Sequence, residues 1–450
     1  MSASLARTGL RLLPLQLALR GLEAAYPVIL AVWFGRSAAT DAYFFAAAVF
    51  GVAGALVYGA FQDSALHPIL AAARTRRPEA LPAIRAALLG HVLALGAAIA
   101  GVVAVLALVL FRLRFGAGEG WTLAASMTTP LVLALVLQGA RIYLGATLAA
   151  EHRYADAALA AGAGAATALL LLALLHVRVG ILAVAWSTLG GELVGLAVVA
   201  ARARRAGHSL RVSLARPPEV VELARLVGSE LAGGAVTRLN APVDQLLAGV
   251  AGVAGGGSLL RYAGDLALLP TSLLQATFLT PFLARTSEAA ARDDVAEVAR
   301  TVRRALVGVM ALLGVAGAVL CIFRVPLTAL VFGHGRMDEA GVLGAADLVP
   351  CYVVGLPGFG ALLVLARAHV ALRNSRIMVR LGVCNAVLNL VLDAALVGPL
   401  GLRGIALATS ITHVLVAIVF WRALVLRYRE LRALASAASP SPSPSLREAA

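Results

Sequence analysis

The stretch "PILAAARTRRPEALPAIRAALLG", residues 68–90, returns later in the chain as "PFLARTSEAAARDDVAEVARTVRRALVG", residues 281–308. Each copy closes one apolar run with Pro-x-Leu-Ala, crosses a basic link, and opens another run with Ile/Val-Arg-x-Ala-Leu. A second echo follows in the same order, "VGILAVAWST" (179–188) and "RGIALATS" (403–410). Two echoes in matching order describe a chain built from two similar halves. Each half holds six apolar runs, and an even number inserts both halves into a membrane in the same orientation. Parallel repeats of this kind relate two lobes by an axis along the membrane normal, with a path for substrate between them.

That reading requires a membrane, and composition supplies the argument. Hydrophobic residues make up 61% of the 450 residues and charged residues 14%, against about 45–50% and about 25% in ordinary soluble domains. Mean hydropathy is +0.90. Apolar runs of about 18 residues or more recur along the chain, the signal of transmembrane helices. The net charge of +15 would suit a nucleic-acid partner, but all 38 basic residues are arginine and they gather between the apolar runs. Cys321, Cys351 and Cys384 lie inside apolar runs, which implies no disulfide framework. The eight histidines show no metal-ligand spacing. The run after Arg7 and Arg11 is long, is interrupted by Arg20 and Glu23, and reads as a first span rather than a signal peptide.

Twelve spans are expected, near residues 12–34, 42–66, 83–111, 121–149, 155–176, 179–201, 222–249, 257–283, 304–332, 345–372, 377–397 and 402–426. The division is an N-terminal six-helix lobe (1–201), a basic link (202–220), a C-terminal six-helix lobe (221–432) and a Ser/Pro-rich tail (433–450) expected to be disordered. Alternate connections carry 21 arginines against 6, and the positive-inside rule places both termini in the cytoplasm.

Charged residues inside such spans cost roughly 2.5–3.5 kcal/mol each on insertion scales, and so they are candidates for function. Arg261 and Asp265 are one turn apart in the eighth run, followed by Pro270, which is expected to break the helix. Either this pair lines a cavity, or Arg261 snorkels to the interface and neutralises Asp265. Arg20 and Glu23 form an i,i+3 pair before Pro27. Arg238 and Arg141 lie on other cavity-forming candidates; Arg141 and Arg367 are near enough to a span end to snorkel. A second group, Asp244, Asn389, Asp393 and Thr409, reaches similar depth in the second lobe. Its hard oxygen donors suit sodium or a proton rather than a transition metal. The plain alternative is hydrogen bonding between packed helices.

The chain resembles the MurJ/MviN-type lipid II flippases of the multidrug/oligosaccharidyl-lipid/polysaccharide exporter superfamily. The resemblance is carried by "FGRSAATDAYFFA" (34–46), "GAFQDSALHPILA" (59–71), "VDQLLA" (243–248), "RYAGDLALLP" (261–270), "GLPGFGALLVLARAHVALRNSR" (355–376) and "GPLGLRGIALATS" (398–410). It implies an all-α, two-lobed flippase moving a polyprenyl-diphosphate-linked sugar across the bacterial cytoplasmic membrane by alternating access. It also implies sodium binding at the Asp244 group. Arg20 matches one of the family's cavity arginines, which suit a diphosphate because a guanidinium pairs bidentately with phosphate oxygens. The family's other cavity arginines are replaced by Tyr26, Ala53 and Asp265, and a usual acid by Tyr58. Members usually carry two further helices beyond the twelve runs expected here.

A transporter rather than an enzyme is therefore expected, without a cofactor and with sodium or protons as the coupling ion. No Walker-type nucleotide loop is present. The expected partners are a lipid-linked glycan and the bilayer, with possible cell-wall biosynthesis proteins and no nucleic acid; the chain is expected to be a monomer. The alternatives are an ion-coupled multidrug or cation antiporter of the same fold, and a degenerate transporter acting as a scaffold.

Overall fold

The computed structural model describes residues 21–22, 25–60, 66–226, 239–292, 294–372 and 374–438. The ordered elements are helices because their side chains are apolar throughout. In a bilayer every backbone donor and acceptor must be satisfied within the segment. The first lobe holds α1 (Ala25–Phe34), α2 (Ala38–Ala60), α3 (Leu66–Arg76), α4 (Leu81–Phe115), α5 (Glu119–Ala149), α6 (Tyr154–Val179) and α7 (Leu182–Arg205). A helix α8 over 218–226 follows the link. The second lobe holds α9 (Asn240–Leu247), α10 (Gly256–Thr277), α11 (Leu279–Ala291), α12 (Val295–Ile322), α13 (Arg324–Phe332), α14 (Glu339–Val353), α15 (Leu356–Ala371), α16 (Ser375–Leu400) and α17 (Leu402–Ala438). α2 and α4 to α7 pack on one another, as do α10 to α17; between the lobes, α2 lies against α9 and α10.

Among the described residues, eight helices are long and apolar enough to cross a membrane, or nine if the bent pair α14/α15 is one span. The expected positions are helical over most of the described residues, but several spans are broken or shortened, the seventh to the eight residues of α9. α14 and α15 meet at 50°, where Pro357 at the start of α15 follows the turn at Val354 and Gly355. The ninth run divides at Phe323 into α12 and α13. The eighth corrects the expectation for Pro270: α10 runs through that proline, and the break falls at Phe278. Pro281 explains the shift. It has no N–H to give Thr277, and its ring crowds that carbonyl four residues back.

The two lobes repeat a turn as well as a pattern. α6 ends on Gly180 and α16 on Gly401, with φ +59° and +60°, each donating its N–H to the carbonyl four residues earlier. Only glycine adopts this backbone region without strain, so the same residue closes the equivalent helix in each half.

The basic link is not loose. Its extended part lies along α4, where the Ser213 N–H donates to the Ala86 carbonyl at 3.0 Å. A side chain at Gly90 would collide with the Ser213 backbone. Glu151 joins the two, accepting from Arg85 at 2.6 Å and from His208 Nε2 at 2.9 Å. The His208 side chain is only 4% exposed. Burial, with Arg85 nearby, pushes its pKa below the ordinary value, outweighing the pull of Glu151. Burial raises the Glu151 pKa, but Arg85 and His208 outweigh that and hold it down.

Candidate functional site

The hydrogen bonds and ion pairs between the lobes gather at the arginine-poor end; at the other, Arg77 of the first lobe pairs with Glu219 at the start of α8, at 3.1 Å. Asp41 comes from the first turn of α2 and is 4% exposed. Its carboxylate accepts the backbone N–H of Ser258 at 2.7 Å. Ser258 is the third residue of α10, whose own N-cap, Gly255, has no side chain to offer. Helix N-termini leave N–H groups unpaired and carry partial positive charge, so a carboxylate there is both acceptor and counter-charge. Asp41 of one lobe thus caps a helix of the other.

Arg114 does the converse. Its Nε donates to the Gln245 carbonyl at 2.9 Å, near the C-terminus of α9, where carbonyls lack partners. Its NH2 lies 3.8 Å from the Asp41 carboxylate. Gln245 in turn donates from Nε2 to the Gly257 carbonyl at 3.0 Å. Around this buried knot, the Tyr262 hydroxyl donates to the Gly35 carbonyl at 3.0 Å, and the Arg336 N–H to the Val32 carbonyl at 2.8 Å. Arg36 pairs with Asp338 at 3.1 Å on the surface. The Arg36 guanidinium and the Gly341 amide hold the Asp338 carboxyl below its usual range. That pair is exposed and adds about 0–1 kcal/mol.

Away from the seal, the first lobe encloses a cavity of about 460 Å³ between α1, α2, α5, α6 and α7. Its polar lining is Tyr26, Tyr43, Arg141, Thr188 and Glu192. A smaller space of about 190 Å³ adjoins it, sharing Tyr43, Thr188 and Glu192 and adding Gln138. Arg141 grips Glu192 with two parallel bonds, Nε to Oε2 at 2.6 Å and NH2 to Oε1 at 3.0 Å. Of the two readings open for Arg141, cavity lining and snorkelling, the structure has it in the cavity wall. It has a partner across the lobe on α7, and a paired charge has no reason to reach for water.

In the second lobe the structure brings together three of the four expected oxygen ligands. The Asn389 amide donates to Asp393 Oδ2 at 2.6 Å and to Asp244 Oδ1 at 3.2 Å. Asn389 and Asp393 are 1% and 0% exposed. The remaining side-chain oxygens of both, Asn389 Oδ1 and Asp393 Oδ1, are buried without a hydrogen-bond partner. A buried acceptor left unmet costs about 1–3 kcal/mol, so two in one cluster fit a proton or small cation. The Thr409 hydroxyl instead donates to the carbonyl of Ile405 on its own helix, at 3.3 Å.

Arg261 donates to Asp265 at 2.9 Å, with the side chains 51% and 28% exposed. Arg367 is exposed and makes no ion pair among the described residues. Arg20, Glu23 and Arg238 lie outside the described residues. Sequence reasoning missed Glu192, Asp41 and Arg114. A lone acid in the apolar run of α7 was a usable signal for Glu192. Asp41 looks like an ordinary first-turn acid of its own helix, and only the fold shows that it caps another.

A family model described as "Lipid II flippase MurJ" matches residues 30–437. The "Probable lipid II flippase MurJ" of Vibrio cholerae serotype O1 is 28% identical over 217 residues, which is 47% of this chain and 40% of that protein. The "Lipid II flippase MurJ" of Burkholderia cenocepacia is 26% identical over 243 residues, 52% of this chain and 46% of that one. The chain thus spans less than half the length of these curated relatives. Among solved structures, "Lipid II flippase MurJ, inward closed conformation" superposes with TM-score 0.76 at 18% identity, covering 93% of this chain and 90% of that one. An inward-facing multidrug resistance MATE family transporter of the MOP superfamily gives the same TM-score at 16% identity, covering 91% and 94%. These superpositions establish the two-lobed fold.

Proposed function

Because the chain belongs to the lipid II flippase MurJ family, we propose that it moves a polyprenyl-diphosphate-linked sugar across the cytoplasmic membrane by alternating access. The sugar is a peptidoglycan precursor or a related lipid-linked oligosaccharide. The observation that carries this reading is the seal: two lobes joined by a buried network of polar contacts at one end, against the half-exposed Arg77–Glu219 pair at the other. The sealed end is the arginine-poor one, which the positive-inside rule assigns to the outside. Both termini then lie in the cytoplasm and this state faces inward.

The chemistry follows from the parts. Opening outward means withdrawing Asp41 from α10 and Arg114 from α9. A carbonyl cap and an amide cap are lost together, and water replaces both. Arg20 and Arg238 are proposed to contact the diphosphate. Sodium or a proton is proposed at Asp244, Asn389 and Asp393, whose orphaned oxygens would hold it, with Thr409 as a further ligand only after its hydroxyl turns from Ile405. Asp244 and the seal residue Gln245 are neighbours on the eight-residue α9. Charge neutralised at one therefore reaches the other through one short rigid element.

The test is reconstitution into vesicles with a labelled polyprenyl-diphosphate sugar, followed by an impermeant enzyme that cleaves only outward-exposed headgroups. Wild type is expected to expose substrate, and Arg20→Ala with Arg238→Ala to abolish this at unchanged folded yield. Full activity in that double variant would overturn the electrostatic role. A cysteine at Ser209 is expected to be shielded from impermeant thiol reagents outside intact cells, and one at Glu339 to react; the reverse would invert the topology. A second reading, an ion-coupled antiporter, is favoured by Glu192 in the first-lobe cavity and the equal likeness to a MATE transporter; proton-driven efflux of an organic cation would support it.

A further inference from the structure

The charges used so far leave a groove at the break between α10 and α11. It is a cavity of about 360 Å³ lined by Thr277, Phe278, Phe282, Arg285, Thr301 and Arg304, with Pro281 and Ala305. Its depth can be read from α10. Twenty-two residues run from the seal to Thr277; at 1.5 Å per residue they span about 33 Å. A hydrocarbon core is about 30 Å thick. The groove therefore lies at the far interface, where acyl chains give way to headgroups.

Both halves of a lipid molecule find matching chemistry there. Phe278 and Phe282 stack with centroids 5.7 Å apart and form an apolar wall. Arg285 and Arg304 are exposed, and neither makes an ion pair among the described residues. The neighbouring acids do not neutralise them. Glu297 is taken by Arg292 at 2.8 Å, and Asp294 caps α12 by accepting the Glu297 N–H at 2.7 Å. Glu288, one turn beyond Arg285, is exposed and makes no ion pair among the described residues. Two uncommitted guanidiniums beside an aromatic wall suit a phosphate with an attached acyl chain. Basic pockets between helices on the cytoplasmic side are a recognised way of holding anionic headgroups.

We propose that this groove binds the phosphate headgroup of an anionic phospholipid of the surrounding bilayer. Arg285 and Arg304 hold the phosphate oxygens, and Phe278 and Phe282 lie against the first carbons of an acyl chain. The lipid would sit at the joint between α10 and α11, fixing the angle at a break that no side-chain cap secures.

The experiment is thermal unfolding of the purified full chain in detergent, with added phosphatidylglycerol or an equal amount of phosphatidylcholine. Phosphatidylglycerol is expected to raise Tm by several degrees more than phosphatidylcholine in wild type. The excess is expected to vanish in Arg285→Gln/Arg304→Gln and to persist in Arg285→Lys/Arg304→Lys and in Arg211→Gln, a change on the distant link. The lysine variant guards against a groove that merely fails to fold. An unchanged excess in the glutamine variant, no excess in wild type, or an equal effect from inorganic diphosphate would each overturn the proposal.

Discussion

Replacing Asp41 with alanine isolates the seal, because its carboxylate touches the second lobe rather than a substrate. Only the contact that crosses between lobes bears on the seal. An acidic cap removed from a helix N-terminus costs about 1 kcal/mol, within a range of about 0.5–2. The Arg114 guanidinium, 3.8 Å away, belongs to the same lobe as Asp41, so the loss of that pair weighs on both states alike, and Arg114 keeps the Gln245 carbonyl. The cap alone shifts the equilibrium by about 1 kcal/mol, close to fivefold. A population sealed at about 99:1 would fall to about 20:1. Spin labels at Ala117 and Val253, with Cys321, Cys351 and Cys384 replaced by alanine, report the separation across the sealed end. Wild type should give one short distance and Asp41→Ala a second, longer one in roughly one molecule in twenty. Asp41→Asn, which keeps an acceptor for Ser258, should fall between. A distance distribution unchanged in Asp41→Ala would refute the capping argument.

Three further outcomes follow from the same contacts. Sodium chloride should raise the Tm of wild type more than choline chloride does, and Asp393→Asn should remove the difference; a sodium effect surviving in both Asp393→Asn and Asp244→Asn would falsify the site. In a double-mutant cycle on Arg141 and Glu192, Glu192→Ala alone should cost about 2 kcal/mol, less than the 3–5 of a fully buried pair because the cavity admits water. Arg141→Met/Glu192→Leu should recover most of that, and additive losses would argue against the pairing. His208 has a native pKa below its ordinary 6.5, so as pH falls through 6.5 the unfolded chain takes up a proton that the native one refuses. Stability should therefore drop from pH 7.5 to 5.5, and His208→Gln should flatten that part of a Tm-against-pH curve.

Much of this was legible from residue order, and the limits have physical causes. Asp244, Asn389 and Asp393 could be grouped because depth in a bilayer is counted along a helix, and 389 and 393 share a face by period. Thr409 was counted to the same depth, but depth does not fix direction, and its hydroxyl turns back to Ile405. The position of the break in the eighth run depended on which proline the packing tolerates. α10 absorbs Pro270, whereas Pro281 falls where the helix is leaving the membrane. The seal was the least visible part. Asp41 and Ser258 are 217 residues apart, and nothing periodic connects an acid on one helix with bare amides at the start of another.

The docked link bears on how the halves can swing. A tether is ordinarily slack that lets two bodies part freely. Here Ser213 is tied to α4 and His208 to Glu151, so the stretch as far as Ser213 travels with the first lobe as part of its surface. The Arg77–Glu219 ion pair, at 3.1 Å, ties the start of α8 to the same lobe, so the free length begins after Glu219 and the radius of any swing is set by residues beyond it. An insertion of flexible residues at Ser209 would then lengthen the polypeptide without loosening the machine. The same insertion beyond α8 would change how far one half can travel before the other is pulled along.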